Sequence, residues 1–430
     1  MAMHDAGRPS ALSATAAARA IADGRLSAEG LVRDCLARVS ERDGTLHAWT
    51  HVDAAGAMDA ARALDARAPD GPLHGLPVGI KDIFDVAGMP AERGSPIHRG
   101  RRPGADAACV GQARAAGAVI LGKTVTTEFA CFHPGPTANP ANPAHTPGGS
   151  SSGSAAAVAD RHVPLAYGSQ TVGSVIRPAA FCGVVGMKLT RGRVALDGTM
   201  ALAPSFDTLG AFARHAGDLF LLLEAWGLGR DRPTAPERPR LGWCRTPLWD
   251  LVEPGYRAHL DGTLARLERA GAEIVPLDLP AEFAPMREIH RTIFTTEALV
   301  TLGDEWSRHR DALSPRLQEL LAEAETRRPE EIATARDEAG RLRDRFDTLT
   351  AGLDAVLAPS AAGEAPRGLA YTGDPSLNGL WTLLHGPLLH VPAGSGPGGL
   401  PLGIQLVGRR GTDHGLIALA EWVERGLASV

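Results

Sequence analysis

The succession of residue patterns along the chain predicts an α/β fold carried by one interleaved domain. Three observations lead there. Strand-like stretches lie towards both ends of the chain, with helical stretches between and around them. Residues 106–124 read as part of a β–α–β unit, in which a short amphipathic segment feeds a buried strand. The Pro/Arg-rich run GRDRPTAPERPR (229–240) reads as an exposed linker or a boundary, but the β–α–β rhythm resumes directly after it.

In order, residues 11–43 predict two helices. Ser27 and Glu29 mark the start of the second, and Leu31, Val32, Cys35, Leu36 and Val39 share one of its faces. An alanine-rich helix runs to about residue 66. From Leu76 the period changes, and LPVGIKDIFDVAG predicts a strand and its turn. A helix over Asp106–Ala116 leads to the buried strand GAVILGKT. The segment Thr146–Thr190 then offers a Gly/Ser-dense loop, an alanine helix, a short strand at Pro164–Gly168, a second tight loop at Gly173–Ser174, and the strand-like GVVGMK. A helix is expected around Ala213–Trp226. RLGWC, a helix at about Tyr256–Ala270 and AEIVPLDL follow, then charged helices over 282–350. GLDAVLAPS, HGPLLHVPAG and LPLGIQLVG are strand-like, and Gly415–Arg425 is helical.

Composition excludes more than it selects. The 430 residues have 44% apolar content and a net charge of −5 with the signs interspersed, so nothing marks a nucleic-acid surface. The basic cluster Arg93–Arg102 reads as a solvated loop. No run of 18 apolar residues is available to span a bilayer. The opening MAMHDAGRPSALSATAAARA lacks the apolar stretch of a secretory leader, so a cytoplasmic location is expected. Five scattered cysteines without a C-x-x-C argue for buried reduced thiols, not disulfides or a zinc knuckle.

Candidate chemistry starts with Lys81, set in an apolar strand. A lysine is seldom buried without a partner. It is either a snorkelling or ion-paired lysine, or a desolvated amine of depressed pKa able to act as a base. Asp82 is a poor partner for it, because adjacent strand residues face opposite ways. The loop GGSSSGS is a flexible linker on its own terms, but a helix and a strand follow it at once. Gly149, Ser151 and Gly153 also spell G-x-S-x-G, which raises a nucleophile elbow at Ser151. That motif needs a strand directly before it, where this chain has proline-rich loop, and a partnered histidine such as His385 or His390. In TVGS (171–174) small residues let successive N–H groups converge as an oxyanion hole, with Ser174 placed to attack. The alternative is an ordinary strand-to-turn serine.

Taken together, GLPVGIKD around Lys81, PGGSSSGSAAAVA from Pro147 and GSQTVGSVIRPAAFCGVVGMK from Gly168 resemble the amidase signature family of serine hydrolases. The three motifs stand in the family's order, separated by 69 residues (81 to 150) and 24 residues (150 to 174). Weaker likeness runs through GKTVTTEFA, TANPANP, FDTLG and the closing strands. Only about 228–350 is unmatched in detail, where substrate-facing elements vary in such enzymes. The resemblance implies a single amidase-signature domain over 1–430, with core motifs at 75–215 and 355–425, built on a large mixed β-sheet sandwiched between helices. It also implies a Ser–Ser–Lys triad. Ser174 would be the acyl-forming nucleophile, Ser150 the bridging serine after a cis peptide to Gly149, and Lys81 the base. The N–H groups of Thr171, Val172, Gly173 and Ser174 would hold the oxyanion.

No metal or organic cofactor is implied. The implied substrate is a small or aryl amide, with carbamates (urethanes) and esters open to the same acyl-serine route. A glutamine-amidase subunit of a tRNA-dependent amidotransferase is the alternative, an inactive binding module a third reading, and a homodimer is left open. Phe132, His133 and Trp381 fall in family-like loops as pocket liners. Three departures stand out: Val172 where glycine is frequent, Arg177 one place later than the family's arginine, and Leu189 in place of proline. Either the turn needs only ordinary dihedrals at Val172, or the oxyanion hole is reshaped. Arg177 is either structural or a clamp for an anionic group.

Overall fold

The computed structural model describes residues 7–428. The first six residues, on which the expectation of no leader partly rests, and the last two lie outside that description.

Among the described residues eleven strands form one sheet: β1 Trp49–Val52, β2 Pro77–Lys81, β3 Val119–Thr124, β4 Leu165–Gln170, β5 Val185–Lys188, β6 Thr208–Ala213, β7 Arg240–Trp243, β8 Glu273–Pro276, β9 Ala355–Ala358, β10 Leu388–Ser395 and β11 Pro401–Val407. Their spatial order is β1-β3-β2-β4-β6-β5-β10-β11-β9-β7-β8. The sheet is mixed. β2 runs parallel to β3 and β4, and β7 parallel to β8 and β9, while β4–β6, β5–β6, β10–β11 and β11–β9 are antiparallel. The expected α/β class and large mixed sheet between helices are what the structure has. β7 and β8, from the divergent stretch, extend this same sheet beside β9, so the Pro/Arg-rich run does not separate two sheets.

The central strands are buried along their whole length, β2, β3, β4 and β6 without an exposed residue. That matches their near-continuous apolar and small sequence and requires helices on both faces. Helices Ala28–Leu46, Ala54–Asp65 and Ser152–Ala159 supply apolar residues to one layer with β3 and β4. Helices Leu219–Ala225, Pro254–Arg269 and Asp413–Ala428 pack in the larger core cluster. Helices Met286–Thr301, Pro315–Glu325 and Pro329–Leu349 form a helical group whose apolar faces join the same cluster, with their charges on solvated faces as expected.

Four elements escaped the sequence reading. β1 is four residues at a sheet edge, and β6 follows a loop without strand-like alternation. The helices Ile176–Cys182 and Ser376–Leu383 are one or two turns long and have too few residues to show a period. All five cysteines are buried and unpaired, as expected. No helix of the described residues is long and apolar enough to cross a membrane.

Candidate active site

Lys81 ends β2, and Ser169 and Gln170 end its parallel neighbour β4. Parallel strands deliver their carboxyl ends, and the loops that follow, to the same edge of a sheet. The Lys81 side chain is wholly buried. Its Nζ lies 2.7 Å from Ser150 Oγ, 2.9 Å from Ser169 Oγ and 3.5 Å from the Ser169 carbonyl. Burial pulls its pKa from 10.5 down to about 7, against the weaker opposing attraction of Asp207. Asp82 faces the other way, as strand alternation demands. It pairs with Lys123 Nζ at 2.6 Å and accepts the N–H groups of Glu92 and Arg93. Lys81 is therefore buried among hydroxyls and a carbonyl, and among the described residues no carboxylate is in contact with it.

Ser150 sits in a loop that the sequence shapes closely. Gly148 has φ +83°, and a Cβ there would lie 2.8 Å from Pro178 Cα, so glycine is needed for both conformation and space. The Gly149–Ser150 peptide is cis, as the resemblance implied. Thr127 N–H donates to the Ser150 carbonyl at 3.3 Å, and Arg177 Nη2 donates to the Gly149 carbonyl at 2.7 Å and to Thr372 Oγ1 at 3.2 Å. Arg177 is buried and holds this loop in place, so of its two readings the structural one has contacts behind it. Ser151 N–H donates to the Ser174 carbonyl at 3.3 Å and stitches the two serine loops together. Among the described residues no hydrogen bond joins the Ser150 and Ser174 hydroxyls.

The nucleophile elbow at Ser151 does not survive. Ser151 is fully buried, and its hydroxyl is spent on the Ser169 carbonyl and N–H at 3.3 and 3.4 Å. The nearest preceding strand among the described residues ends at Thr124. Gly153 is glycine because a Cβ would meet the Ala48 carbonyl at 2.1 Å, a packing reason that mimics the motif.

The turn Thr171–Ser174 is held from outside. The Thr171 carbonyl accepts from His290 Nε2 at 3.0 Å, and the Val172 carbonyl accepts from Thr382 Oγ1 at 2.7 Å. In a trans peptide the following N–H points opposite to the carbonyl, so the N–H groups of Val172 and Gly173 are turned away from those partners. His290 is buried and stacked on Phe206 at 4.3 Å; burial lowers its pKa to about 4, which keeps it neutral with its Nε2–H on the carbonyl. Gln170 Oε1 accepts the N–H groups of Val175 and Ile176 at 2.8 and 3.0 Å, and Thr171 Oγ1 donates to Asp207 Oδ1 at 2.6 Å. Val172 and Gly173 both have φ outside the positive region, so the turn needs only ordinary dihedrals at Val172. Gly173 is there for space: a Cβ would lie 2.7 Å from Asn378 Oδ1.

A cavity of ≈ 140 Å³ opens beside this turn, lined by Val172, His290, Phe132, Phe294, Arg316 and Tyr371 among others. Phe132 lines it as expected. Trp381 does not; it is fully buried against Phe346, and the exposed His133 is not in the lining either. Ser169, Gln170, Asp207, His290 and Thr382 were not singled out from the sequence. For Ser169 and Gln170 a signal existed, since two polar residues end an apolar strand directly before TVGS. His290 and Thr382 lie 119 and 210 residues from their partners, too far for any local pattern to link them.

This arrangement meets its likeness among known proteins. The Amidase family model matches residues 30–417. The chain is 33% identical to a component of the glutamyl-tRNA(Gln) amidotransferase of Salinispora arenicola (strain CNS-205), over 96% of each chain. A crystal structure described as that of an amidase superposes with TM-score 0.89 and 29% identity, over 96% of this chain and 99% of its own. The native peptide amidase from Stenotrophomonas maltophilia gives TM-score 0.84 and 30% identity, over 97% of each. Shared across nearly the whole length in both sequence and sheet architecture, these likenesses make the chain a member of the amidase family, a hydrolase of carbon–nitrogen bonds.

Proposed function

We propose that the protein hydrolyses small or aryl amides through an acyl-serine intermediate, with Ser174 as nucleophile, Ser150 as proton bridge and Lys81 as base. The observation that carries this is the wholly buried Lys81 Nζ, 2.7 Å from Ser150 Oγ, with a pKa lowered to about 7 by burial. An amine so placed is neutral often enough at pH 7 to take a proton from a hydroxyl.

In this reading Lys81 takes the Ser150 proton while Ser150 takes that of Ser174, whose Oγ bonds to the amide carbon. The two serine loops are tied by the hydrogen bond from Ser151 N–H to the Ser174 carbonyl. The oxyanion is received by N–H groups of Thr171, Val172, Gly173 and Ser174. The carbonyl contacts of His290 and Thr382 hold the central two of these N–H groups in orientation. A preorganised donor of this kind contributes roughly 3–4 kcal/mol to the barrier reduction. The intermediate collapses, the carbon–nitrogen bond breaks, and the proton returns from Lys81 through Ser150 to the leaving amine. Water then gives its proton to the same relay as it attacks the acyl carbon, the bond to Ser174 Oγ breaks, and the relay returns the proton to Ser174 as the acid leaves. Carbamates and esters fit the same steps.

The test is amine release from a panel of amides, anilides, carbamates and esters by the purified chain and its Ser174→Ala and Lys81→Ala variants. Turnover in either variant at the rate of the unmodified protein defeats the assignment. A second reading is favoured by the names that similar relatives carry: a glutamine amidase that works within a tRNA-dependent amidotransferase. Glutamine hydrolysis that appears only with partner subunits, alongside an inert amide panel, selects it.

A further inference from the structure

The cavity that starts at Val172 is bordered by Arg287 and Arg316, each on an element of the divergent helical region. Most arginines of that region are neutralised: Arg291 by Glu323, Arg327 by Glu288, Arg336 by Glu297 and Arg345 by Glu282. Among the described residues Arg287 and Arg316 have no carboxylate within ion-pair distance. The Arg316 guanidinium is instead held over two rings, 4.8 Å from the centre of Phe132 and 5.6 Å from that of Tyr371. Those contacts use the face of the fork, and among the described residues its in-plane N–H donors make no hydrogen bond. The acidic member of the lining, Asp374, has Oδ1 engaged by Ser376 N–H at 2.8 Å. The remaining walls combine the aromatic rings with Val172, Pro375 and Leu380, and Phe132 and Phe294 meet edge to face at 6.5 Å.

We propose that this cavity is a subsite for an aromatic substrate bearing a carboxylate, whose oxygens take the paired donors of Arg316 while its ring lies against Phe132 and Phe294. A planar fork matches a carboxylate in geometry as well as charge, and a mostly apolar hollow with a few converging polar groups is the usual form of a small-molecule site. The inference rests on the amidase reading above and narrows it: among amides of equal reactivity, the anionic one is preferred. Because Arg316 is exposed, the preference is moderate and weakens as salt is raised.

The test uses two anilides that are identical except that one carries a para-carboxylate and the other a para-carboxamide, planar, of similar size and of similar electronic effect but uncharged, with release of the aniline as the readout. Kd for each is measured by calorimetry on the Ser174→Ala chain, and the ratio of kcat/KM values on the unmodified protein. The expected result is a preference for the carboxylate of about tenfold in both, consistent with one charge-assisted contact. With Arg316→Gln added, the ratio falls to about one, and Arg316→Lys keeps part of it. Equal Kd values for the two anilides overturn the subsite, as does a ratio that Arg316→Gln leaves unchanged in a chain whose thermal melt is intact. If neither anilide is hydrolysed but the Kd preference and its dependence on Arg316 hold, the subsite stands and the amidase reading falls.

Discussion

At pH 7 about half of the Lys81 side chains carry a neutral amine, because burial sets the pKa at about 7. A lysine left at 10.5 would be neutral in only about three chains in ten thousand at that pH. Enclosure by β2, β4 and the Gly148–Ser151 loop therefore raises the supply of base by roughly three orders of magnitude. The sign follows from which form is active. If the neutral amine is the proton acceptor, as proposed, kcat/KM rises with pH, about tenfold per unit well below 7, and levels off above about 7. The assay is initial-rate amine release at low substrate from pH 5 to 10, with a return-to-neutral control for irreversible loss. Two variants move the limb in a stated direction. Ser169→Ala removes an acceptor 2.9 Å from Nζ that favours the ammonium, and Asp207→Asn removes the charge whose attraction opposes the shift. Both move the limb to lower pH. A profile flat from pH 5 to 9, or a limb near 10.5, refutes the claim that burial of Lys81 sets the rate.

Further outcomes follow from other contacts. Gly153→Ala places a methyl 2.1 Å from the Ala48 carbonyl and 2.4 Å from Val125 N, both backbone atoms, so urea unfolding should show a loss of about 3 kcal/mol or more. An unchanged midpoint would mean that the helix start can shift freely. His290→Phe keeps the ring stack but leaves the Thr171 carbonyl without its donor. We expect kcat to fall roughly ten- to a hundredfold with KM little changed, and partial recovery in His290→Gln, which can still donate; a loss confined to KM would assign His290 to substrate contact alone. Lys188 is buried, donates to the Leu189 and Gly386 carbonyls, and has its pKa lowered to about 7 by burial. Its folded pKa lies below its unfolded one, so the unfolded chain binds more protons between about 7 and 10.5, and stability falls as pH is lowered through that window. Lys188→Met removes this dependence, so the difference in unfolding free energy between variant and parent should change across pH 7–10; a constant difference rejects it.

The sequence by itself determined the α/β class, most of the strands and the three motifs that carry Lys81, Ser150 and Ser174. It did so because strand period, helix period and Gly/Ser turns are properties of neighbouring residues, and the backbone reads them locally. It also marked Asp82 as a poor partner for Lys81, since adjacent strand residues face opposite ways. Short elements such as β1 and the helix Ile176–Cys182 left too few residues for any period to show. The G-x-S-x-G spelling around Ser151 misled for a related reason: Gly153 answers to the Ala48 backbone, a contact made across more than a hundred residues. Only the tertiary structure decided that Lys81 is enclosed without a carboxylate in contact, that Ser169 is its second acceptor, and that His290 and Thr382 hold the carbonyls of the 171–174 turn. It likewise decided that the Arg316 guanidinium lies over the rings of Phe132 and Tyr371. Desolvation and hydrogen-bond orientation depend on what the whole chain brings around a group, so no window of sequence contains them.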